Sequence, residues 1–426
     1  MRRAEILFLC FGLVPTVVGC GAGTDTADWD WPAFNHDSRR SGVTGEHLET
    51  PLHEQWTFHA PHKPAPAWPE PALRDIWNRI PKLNPRVTDD RAFHTIAVGR
   101  SVFFASSADD KVYALDAATG EISWTFFTGG PLRYAPTFTD GRLIVGSDDG
   151  VVYCLNAADG SPGWTHGPPD GTRMLPGNGR MISIRPVRTG IVVEDGIAYV
   201  ASGLFPTEGV SLSALDAASG AVRWSAGPVD LSPQGYLLAS RNRLYVPTGR
   251  TAPVVFDRAD GRLEGAFPTP HGDGGTFALI DGGNLVSGPG KELVSYDAAS
   301  RERDRLLTFA GTRMIVDGGR YFLLSDRILI CYDHERLREN RREQAEAAGT
   351  IRALSDSLEA LDKNDAGRSL QSSRAAAIRE RISSLERRAG ELRNAEHSWK
   401  TPTKTLYSMI LAGDLLFCGG DGFVAA

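Results

Sequence analysis

One short string recurs along this chain, and its period decides what the chain can fold into. Val112-Tyr-Ala-Leu-Asp116-Ala-Ala-Thr-Gly120 leads to Trp124, Val152-Tyr-Cys-Leu-Asn156-Ala-Ala-Asp-Gly160 to Trp164, and Leu212-Ser-Ala-Leu-Asp216-Ala-Ala-Ser-Gly220 to Trp224. In each copy Gly falls four residues after the Asp or Asn, and Trp falls eight after it. Eroded copies follow at Val255-Phe256-Asp257 with Asp260-Gly261, at Ser295-Tyr296-Asp297 and at Cys331-Tyr332-Asp333. Steps between the Asp/Asn positions run 40, 60, 41, 40 and 36, the 60 being one period plus an inserted loop. Ahead of each copy lies an apolar segment such as Leu143-Ile144-Val145 or Ala198-Tyr199-Val200, often introduced by Asp-Gly, as at Asp140-Gly141 and Asp195-Gly196. That is strand, tight turn, strand, tight turn, strand.

A period near 40 residues is the mark of a propeller or a solenoid. The repeat predicts an all-β fold, a β-propeller of seven to eight four-stranded blades. A blade cannot bury both faces alone, so it stacks on its neighbours. The Trp is expected to pack between blades, the Asp to bond the backbone of its own turn, and the Gly to supply positive φ. These residues read as architecture rather than as catalytic groups.

The string resembles the pyrroloquinoline-quinone (PQQ)-like repeat family, whose consensus reads approximately v-Y-A-L-D-a-x-T-G-x-x-x-W. The resemblance runs from Trp56 to the end, apart from one helical insert. The opening Trp31-Pro-Ala-Phe-Asn-His-Asp-Ser-Arg-Arg-Ser-Gly42 resembles the lead-in common in these proteins. Gly146-Ser-Asp-Asp-Gly150 and the stretch Gly177 to Gly190 resemble a large group of exported planctomycete-type propellers, a match that carries no activity. The last residues, Gly420 to Ala426, align with Asp148 to Cys154, so the sequence stops one residue short of its Leu-Asp. Seven inner hairpins are visible where members of the family commonly close with eight blades. The expectation is a fragment truncated in its last blade, the alternative being closure by the segment around Trp56.

The first twenty residues read as a targeting segment. Arg2 and Arg3 precede an apolar stretch, Ile6 to Val18, too short to span a bilayer comfortably. Val17-Val18-Gly19-Cys20 resembles a bacterial lipobox, which would place a lipid on Cys20 and the protein in the periplasm or on the outer membrane. The alternative is an ordinary signal peptide and a soluble periplasmic or secreted protein. Cys154, Cys331 and Cys418 remain, with no C-x-x-C spacing, and an odd number makes no disulfide framework. Cys154 and Cys331 take the repeat position that Ala114 and Ala214 fill, so they read as small buried residues. A net charge of -6 gives no general attraction to nucleic acid.

Two insertions break the period. Between Asp333 and Trp399 the spacing is 66 instead of eight. Ile351, Leu354, Leu358 and Leu361, then Ile378, Ile382, Leu385 and Leu392, give two heptad-like apolar stripes separated by Asn364 to Gly367. This predicts an inserted antiparallel helical hairpin over 338–396, either a partner-binding arm or a pair whose stripes satisfy each other. The loop Pro168 to Gly190 carries Arg173, Arg180, Arg185 and Arg188, which suit an anion-binding mouth or a salt-bridged lid. The Pro-rich segment from His59 to Pro71 reads as a strap, and its His59 and His62 are weak evidence for metal. The expected organisation is a leader (1–20), a tether and lead-in (21–55), blades (56–337), the hairpin (338–396) and a last blade (397–426).

No nucleophile elbow, phosphate-binding loop or H-E-x-x-H helix is present. The resemblance also implies an alternative activity, a PQQ- and calcium-dependent dehydrogenase oxidising an alcohol or sugar. Its alcohol-oxidising members carry a vicinal Cys-Cys pair, which this sequence lacks, although the glucose-type enzymes lack it too. The preferred expectation is a non-catalytic scaffold with no cofactor, similar to the propeller lipoprotein of the outer-membrane β-barrel assembly machinery. It would bind envelope proteins through hairpin loops or the helical arm, and no nucleic acid.

Overall fold

The computed structural model describes residues 5–8, 30–69, 89–168, 170–177, 179–249, 251–268, 274–288, 292–300, 303–362 and 368–426. The chain is a β-propeller of seven four-stranded sheets with two inserted helices. The chain divides into two compact units, one of residues 1–313, 408–419 and 423–426 and one of residues 314–407 and 420–422.

In the first unit the first five four-stranded sheets are meanders running outward from an innermost first strand. The first sheet is Thr95–Val98, Ser101–Ser106, Lys111–Asp116 and Ile122–Phe127. The second is Thr137–Thr139, Arg142–Gly146, Val152–Asn156 and Pro162–His166. The third, fourth and fifth repeat the plan, with third strands Ser211–Asp216, Val254–Asp257 and Leu293–Asp297. Second and third strands are buried on both faces, so Val102-Phe103-Phe104 and Leu143-Ile144-Val145 read as continuous apolar runs. Fourth strands alternate between exposed and half-buried residues, as Ile122–Phe127 does. Val43–Thr44 of the lead-in pairs in parallel with Leu406–Ala412, making with Leu415–Gly420 and Phe423–Ala425 the seventh sheet. A separate two-stranded sheet pairs Glu5–Phe8 with Trp56–His59.

The repeat string has one geometry throughout. Asp116 Oδ1 accepts the N–H groups of Ala118 and Thr119, and Asn156, Asp216, Asp257 and Asp297 act alike in their own turns. The third strands of the first six sheets share a bulge at the same place, and where a Trp faces it the opposite residue is small: Ala114 faces Trp124, Cys154 Trp164, Ala214 Trp224. The Trp then reaches the next sheet. Trp124 Nε1 donates to Ala157 O at 3.1 Å, Trp164 to Ala217 O at 3.1 Å and Trp224 to Arg258 O at 3.0 Å. Each ring lies on the turn glycine of that sheet, Gly160, Gly220 or Gly261, where a Cβ would come within 2.5–2.6 Å of the indole. Those glycines also have φ near +73°, so no other residue serves both demands. Trp56 docks the same way, on Ala117 O at 2.9 Å and over Gly120.

The second unit holds the sixth sheet, Arg313–Asp317, Arg320–Ser325, Ile328–Asp333 and His397–Pro402. Cys331 faces Trp399, the pairing that Ala114 and Trp124 make. Between these strands stand α1, His334–Asp362, and α2, Arg368–Asn394, of 29 and 27 residues and each about 40 Å long. Ala347, Ala375, Ala389, Leu337 and Leu392 are buried in the hairpin, and Ile351, Leu354, Leu358, Ile378, Ile382 and Leu385 are half-buried. Arg388 grips Glu343 across the pair with two bonds of 2.8 and 3.0 Å. The apolar stripes therefore face each other, and the outer faces are charged.

Trp164→Ala should lower stability by about 3 kcal/mol, near the lower end for removing an aromatic ring because this one is half-buried. Gly220→Val, which blocks the same dock from the other side, should cost a similar amount. Urea titration followed by far-ultraviolet circular dichroism checks both.

Candidate functional site

The innermost strands of a propeller surround an axis, and here the lead-in fills it. Trp31 exchanges two backbone hydrogen bonds with Ala97 of the first sheet, and Pro32 O accepts from Phe138 N of the second at 2.8 Å. Ser38 O and Arg39 O accept from Ala239 N and Ile280 N of the fourth and fifth sheets at 3.0 and 2.9 Å. Gly42 O and Thr44 O accept from Leu411 N and Gly413 N of the seventh. Residues 31–44 thus supply the inner neighbour that these first strands would otherwise lack.

Arg40 is the centre of this plug. It is 2% exposed, has φ of 61°, and donates to four backbone carbonyls: Leu237 O, Phe34 O, Asp37 O and Ile191 O, at 3.0 to 3.2 Å. Its charge lies 5.5 Å from the centre of the Tyr236 ring. Loss of water pulls its pKa down to about 10, and it remains a cation at neutral pH. Phe34 stacks on the other aromatic partner of the axis, Tyr236, at 3.6 Å between ring centres. Tyr236 Oη accepts from Ala135 N and Tyr134 Oη accepts from Gly235 N, tying the second sheet to the fourth. The resemblance of residues 31–42 to a known lead-in was legible, but nothing in the string marks Arg40 as an axial pin.

A buried ionic cluster lies where the connections between sheets converge. Asp148 Oδ2 accepts from Arg133 Nε at 2.7 Å, and both Asp148 oxygens accept from Arg188 at 3.1 Å. All three side chains are more than nine-tenths buried. Arg133 also donates to Ala65 O and stands 3.5 Å from Asp90, which accepts from Ala67 N at 2.6 Å. The Pro-rich segment is therefore a strap held through Ala65 and Ala67. Burial raises the Asp90 carboxyl above its ordinary range, against the downward pull of Ala67 N–H and Arg133. His94 Nε2 donates to Asp89 O at 2.5 Å, and burial lowers its pKa. Asp89 Oδ2 is buried with no hydrogen-bond partner among the described residues.

Three of the four arginines singled out in the 168–190 loop have carboxylate partners, and no two share one. Arg188 belongs to the Asp148 cluster, Arg180 reaches Asp110 and Ala108 O, and Arg185 bonds Asp170 at 2.5 Å. Arg173 is exposed. The loop forms a hairpin, Met174–Gly177 with Arg180–Ser183, carrying exposed Met181 at its outer end. His62 bonds Asp109 at 2.6 Å and His59 is exposed. Among the described residues, no group of three His, Cys, Asp or Glu is placed to hold a metal. The thiols of Cys154 and Cys418 are buried and pushed up to about 11, and that of Cys331 is also raised. Cys20 lies outside the described residues.

Residues 56–182 match the family model of outer membrane protein assembly factor BamB. That match spans the first two sheets, whose repeat strings resemble the PQQ type. No relative is found among curated proteins. Among solved structures, the fold is similar to a quinohemoprotein alcohol dehydrogenase from Comamonas testosteroni, with 11% identity, a TM-score of 0.51, and coverage of 93% of this chain and 71% of that one. BamB from Moraxella catarrhalis matches at 14% identity and a TM-score of 0.42, over 56% of this chain and 71% of that one. A europium-containing methanol dehydrogenase matches at 11% identity and a TM-score of 0.46, over 71% of this chain and 70% of that one. At these identities the likeness extends to the fold alone.

Asp148→Ala should cost about 3–5 kcal/mol, because it leaves Arg133 and Arg188 buried and unpaired, whereas Arg185→Ala should cost less than about 1 kcal/mol. Denaturant titrations of the two variants separate them. His94 contributes a pH dependence of definite sign. Its folded pKa lies below the ordinary 6.5, so the unfolded chain takes up the proton first, and stability falls as pH drops from about 6.5 toward the folded value. Unfolding midpoints at pH 7.5 and 5.5 should differ less in His94→Asn than in the parent.

Proposed function

We propose that this protein is a non-catalytic docking propeller of the bacterial cell envelope, lipid-anchored at Cys20, that binds protein segments on the loops joining its sheets. The observation that carries the reading is the filled axis. Phe34, Arg40 and Tyr236 occupy it, and Arg133 and Arg188 at the loop connections are neutralised by Asp148. A flat, tricarboxylated quinone needs an open slot between two planar groups, free cations for its carboxylates and a metal site beside it. Phe34 stacked on Tyr236 and Asp148 paired with Arg133 and Arg188 support a reading without PQQ or calcium, and no chemical step is derived through them. Burial raises all three thiols above their ordinary range, which disfavours their thiolate forms at neutral pH.

The loops, by contrast, expose what a protein partner would grip. Phe127, Met181 and Phe205 are each about half exposed or more on connections or strand ends at the loop side, beside Lys111, which lies over the Phe127 ring at 4.6 Å. Exposed apolar side chains, one of them with a lysine over its ring, suit a docking surface. The match to a BamB family model, in a protein whose name places it in outer-membrane assembly, supports an envelope location. No described helix is long and apolar enough to cross a membrane. The helical hairpin, with its stripes turned inward, serves this reading only through its charged exterior.

Incubation with PQQ and Ca²⁺ followed by desalting should leave no quinone absorbance on the protein, and no dye-linked oxidation of methanol, ethanol or glucose. Retained quinone together with such oxidation would sink the scaffold reading. In the same strain, a photo-crosslinking residue at Met181 should capture an envelope protein that the same residue at Ile122, on a fourth strand, does not.

A further inference from the structure

At one seam of the ring the tryptophan dock is missing, and charged side chains stand in its place. Across the bulge of the fourth sheet Val255 faces Gly265, the register at which Ala114 faces Trp124 in the first. The position that carries the indole in the first three sheets is therefore a glycine, and the small residue opposite has become a valine. The seat on the fifth sheet is nonetheless built. Asp297 Oδ1 accepts from Ala299 N and Ser300 N at 2.9 and 3.0 Å, and Ala298 O corresponds to Ala117 O, which takes the N–H of Trp56 in the first sheet. Asp297 N donates to Asp304 O as Asp116 N donates to Glu121 O, so Arg303 stands where Gly120 stands. Like that glycine it has positive φ, 55° against 73°, a conformation strained for a residue with a side chain.

The Trp above a Gly has thus become a Gly beneath an Arg. Arg303 lies back over Gly265, where a Cβ would stand 3.0 Å from its Nη1, and its guanidinium is 5.6 Å from the centre of the Phe267 ring. Arg243, at the start of the second strand of the fourth sheet, donates through Nη1 to Ala298 O, the acceptor an indole would have used. Glu264 joins the two arginines, 2.8 Å from Arg243 and 3.6 Å from Arg303. The replacement is imperfect. Arg303 is 8% exposed, yet its Nε–H has no acceptor among the described residues, and its bond to Glu264 O is long at 3.4 Å. A buried donor left unmade costs more than an ordinary bond returns. One carboxylate between two guanidinium groups also leaves a positive charge uncompensated.

We infer that the ring opens locally at this seam: the outer strand of the fourth sheet, Leu263–Gly265, releases from the Asp297 turn of the fifth while the rims closed by Trp56, Trp124, Trp164 and Trp224 stay shut. The inference goes beyond the docking function and does not depend on it. Opening returns water to the Arg303 Nε–H, lets Arg303 leave its strained φ, and uncovers Phe267, which the closed seam buries 5.0 Å from the Tyr296 ring. Leu238, Tyr245 and Val255 still pack with Ile280, Leu285 and Tyr296 in one buried cluster, which keeps the two sheets together and confines the motion to the rim.

Hydrogen exchange of the full chain, read by mass spectrometry, tests this. Residues 263–268 should exchange faster than residues 222–226, the outer strand that Trp224 closes. The triple variant Val255→Ala, Gly265→Trp, Arg303→Gly rebuilds the dock, and should slow exchange of 263–268 roughly tenfold while leaving 222–226 unchanged. Parent exchange of 263–268 no faster than that of 222–226 overturns the inference, and so does a folded triple variant whose 263–268 segment is not slowed. If the triple variant does not fold, Glu264→Gln decides. Removing the shared carboxylate should speed exchange of 263–268 about threefold and leave 222–226 as it was, and an unchanged rate at 263–268 overturns the latch.

Discussion

The structure depends on one repeated contact, a tryptophan of one sheet set into the turn of the next. The indole needs a hydrogen-bond acceptor for its Nε1–H and a flat apolar seat for its ring. The Asp-x-x-x-Gly turn supplies both, a carbonyl one residue after the Asp and a glycine with nothing above its Cα. The seat exists only if the Asp side chain has organised the turn, and the Trp can reach it only if the residue beside it on the third strand is small. Asp, Gly, Trp and the Ala or Cys opposite Trp are therefore one interaction spread over two sheets, which is why they recur together. Cys154 and Cys331 are explained by the same requirement, without appeal to redox chemistry.

Sheet-to-sheet docking fixes the rim but leaves the first strands without inner partners. The lead-in answers that need with backbone groups, and the charge of Arg40 gathers four carbonyls that would otherwise point at each other across the axis. A buried guanidinium is costly to dehydrate, but four of its five N–H groups donate to carbonyls, so much of the cost is offset by charge-assisted bonds. The Asp148 cluster does the same work with paired charges. Both devices tie buried cations into the framework that joins one sheet to the next.

The sequence made the repeat legible, and with it the strand order, the helical hairpin and the role of Trp, because those depend on residues eight to forty apart in the chain. The axial pin and the ionic cluster were not legible. Arg40 meets Leu237 and Ile191, and Arg188 meets Asp148, at separations that follow from the closed fold and not from the period. A non-repeating contact leaves no trace in a periodic pattern. The four loop arginines illustrate the limit: their composition was compatible with an anion site or a lid, and only geometry shows that Arg180, Arg185 and Arg188 each answer a different carboxylate.

The helical hairpin shows how much the repeat tolerates. It enters between the third and fourth strands of the sixth sheet, yet the pairing of Cys331 with Trp399 matches that of Ala114 with Trp124. Closing a loop of this length costs little more entropy than closing one several times shorter. What must be protected is the register at its mouth. There Arg336 donates to Ala395 O and His397 O, and Glu396 is held by Arg341 and Gln344, so the two helix ends leave the insert side by side. With its ends stitched and its apolar stripes paired, the hairpin folds as a closed appendage that asks nothing of the blade except two adjacent strand ends. Even the hydrogen bond from this third turn to the first is kept, His334 N donating to Gly319 O at 2.8 Å as Ala117 N does to Arg100 O in the first sheet.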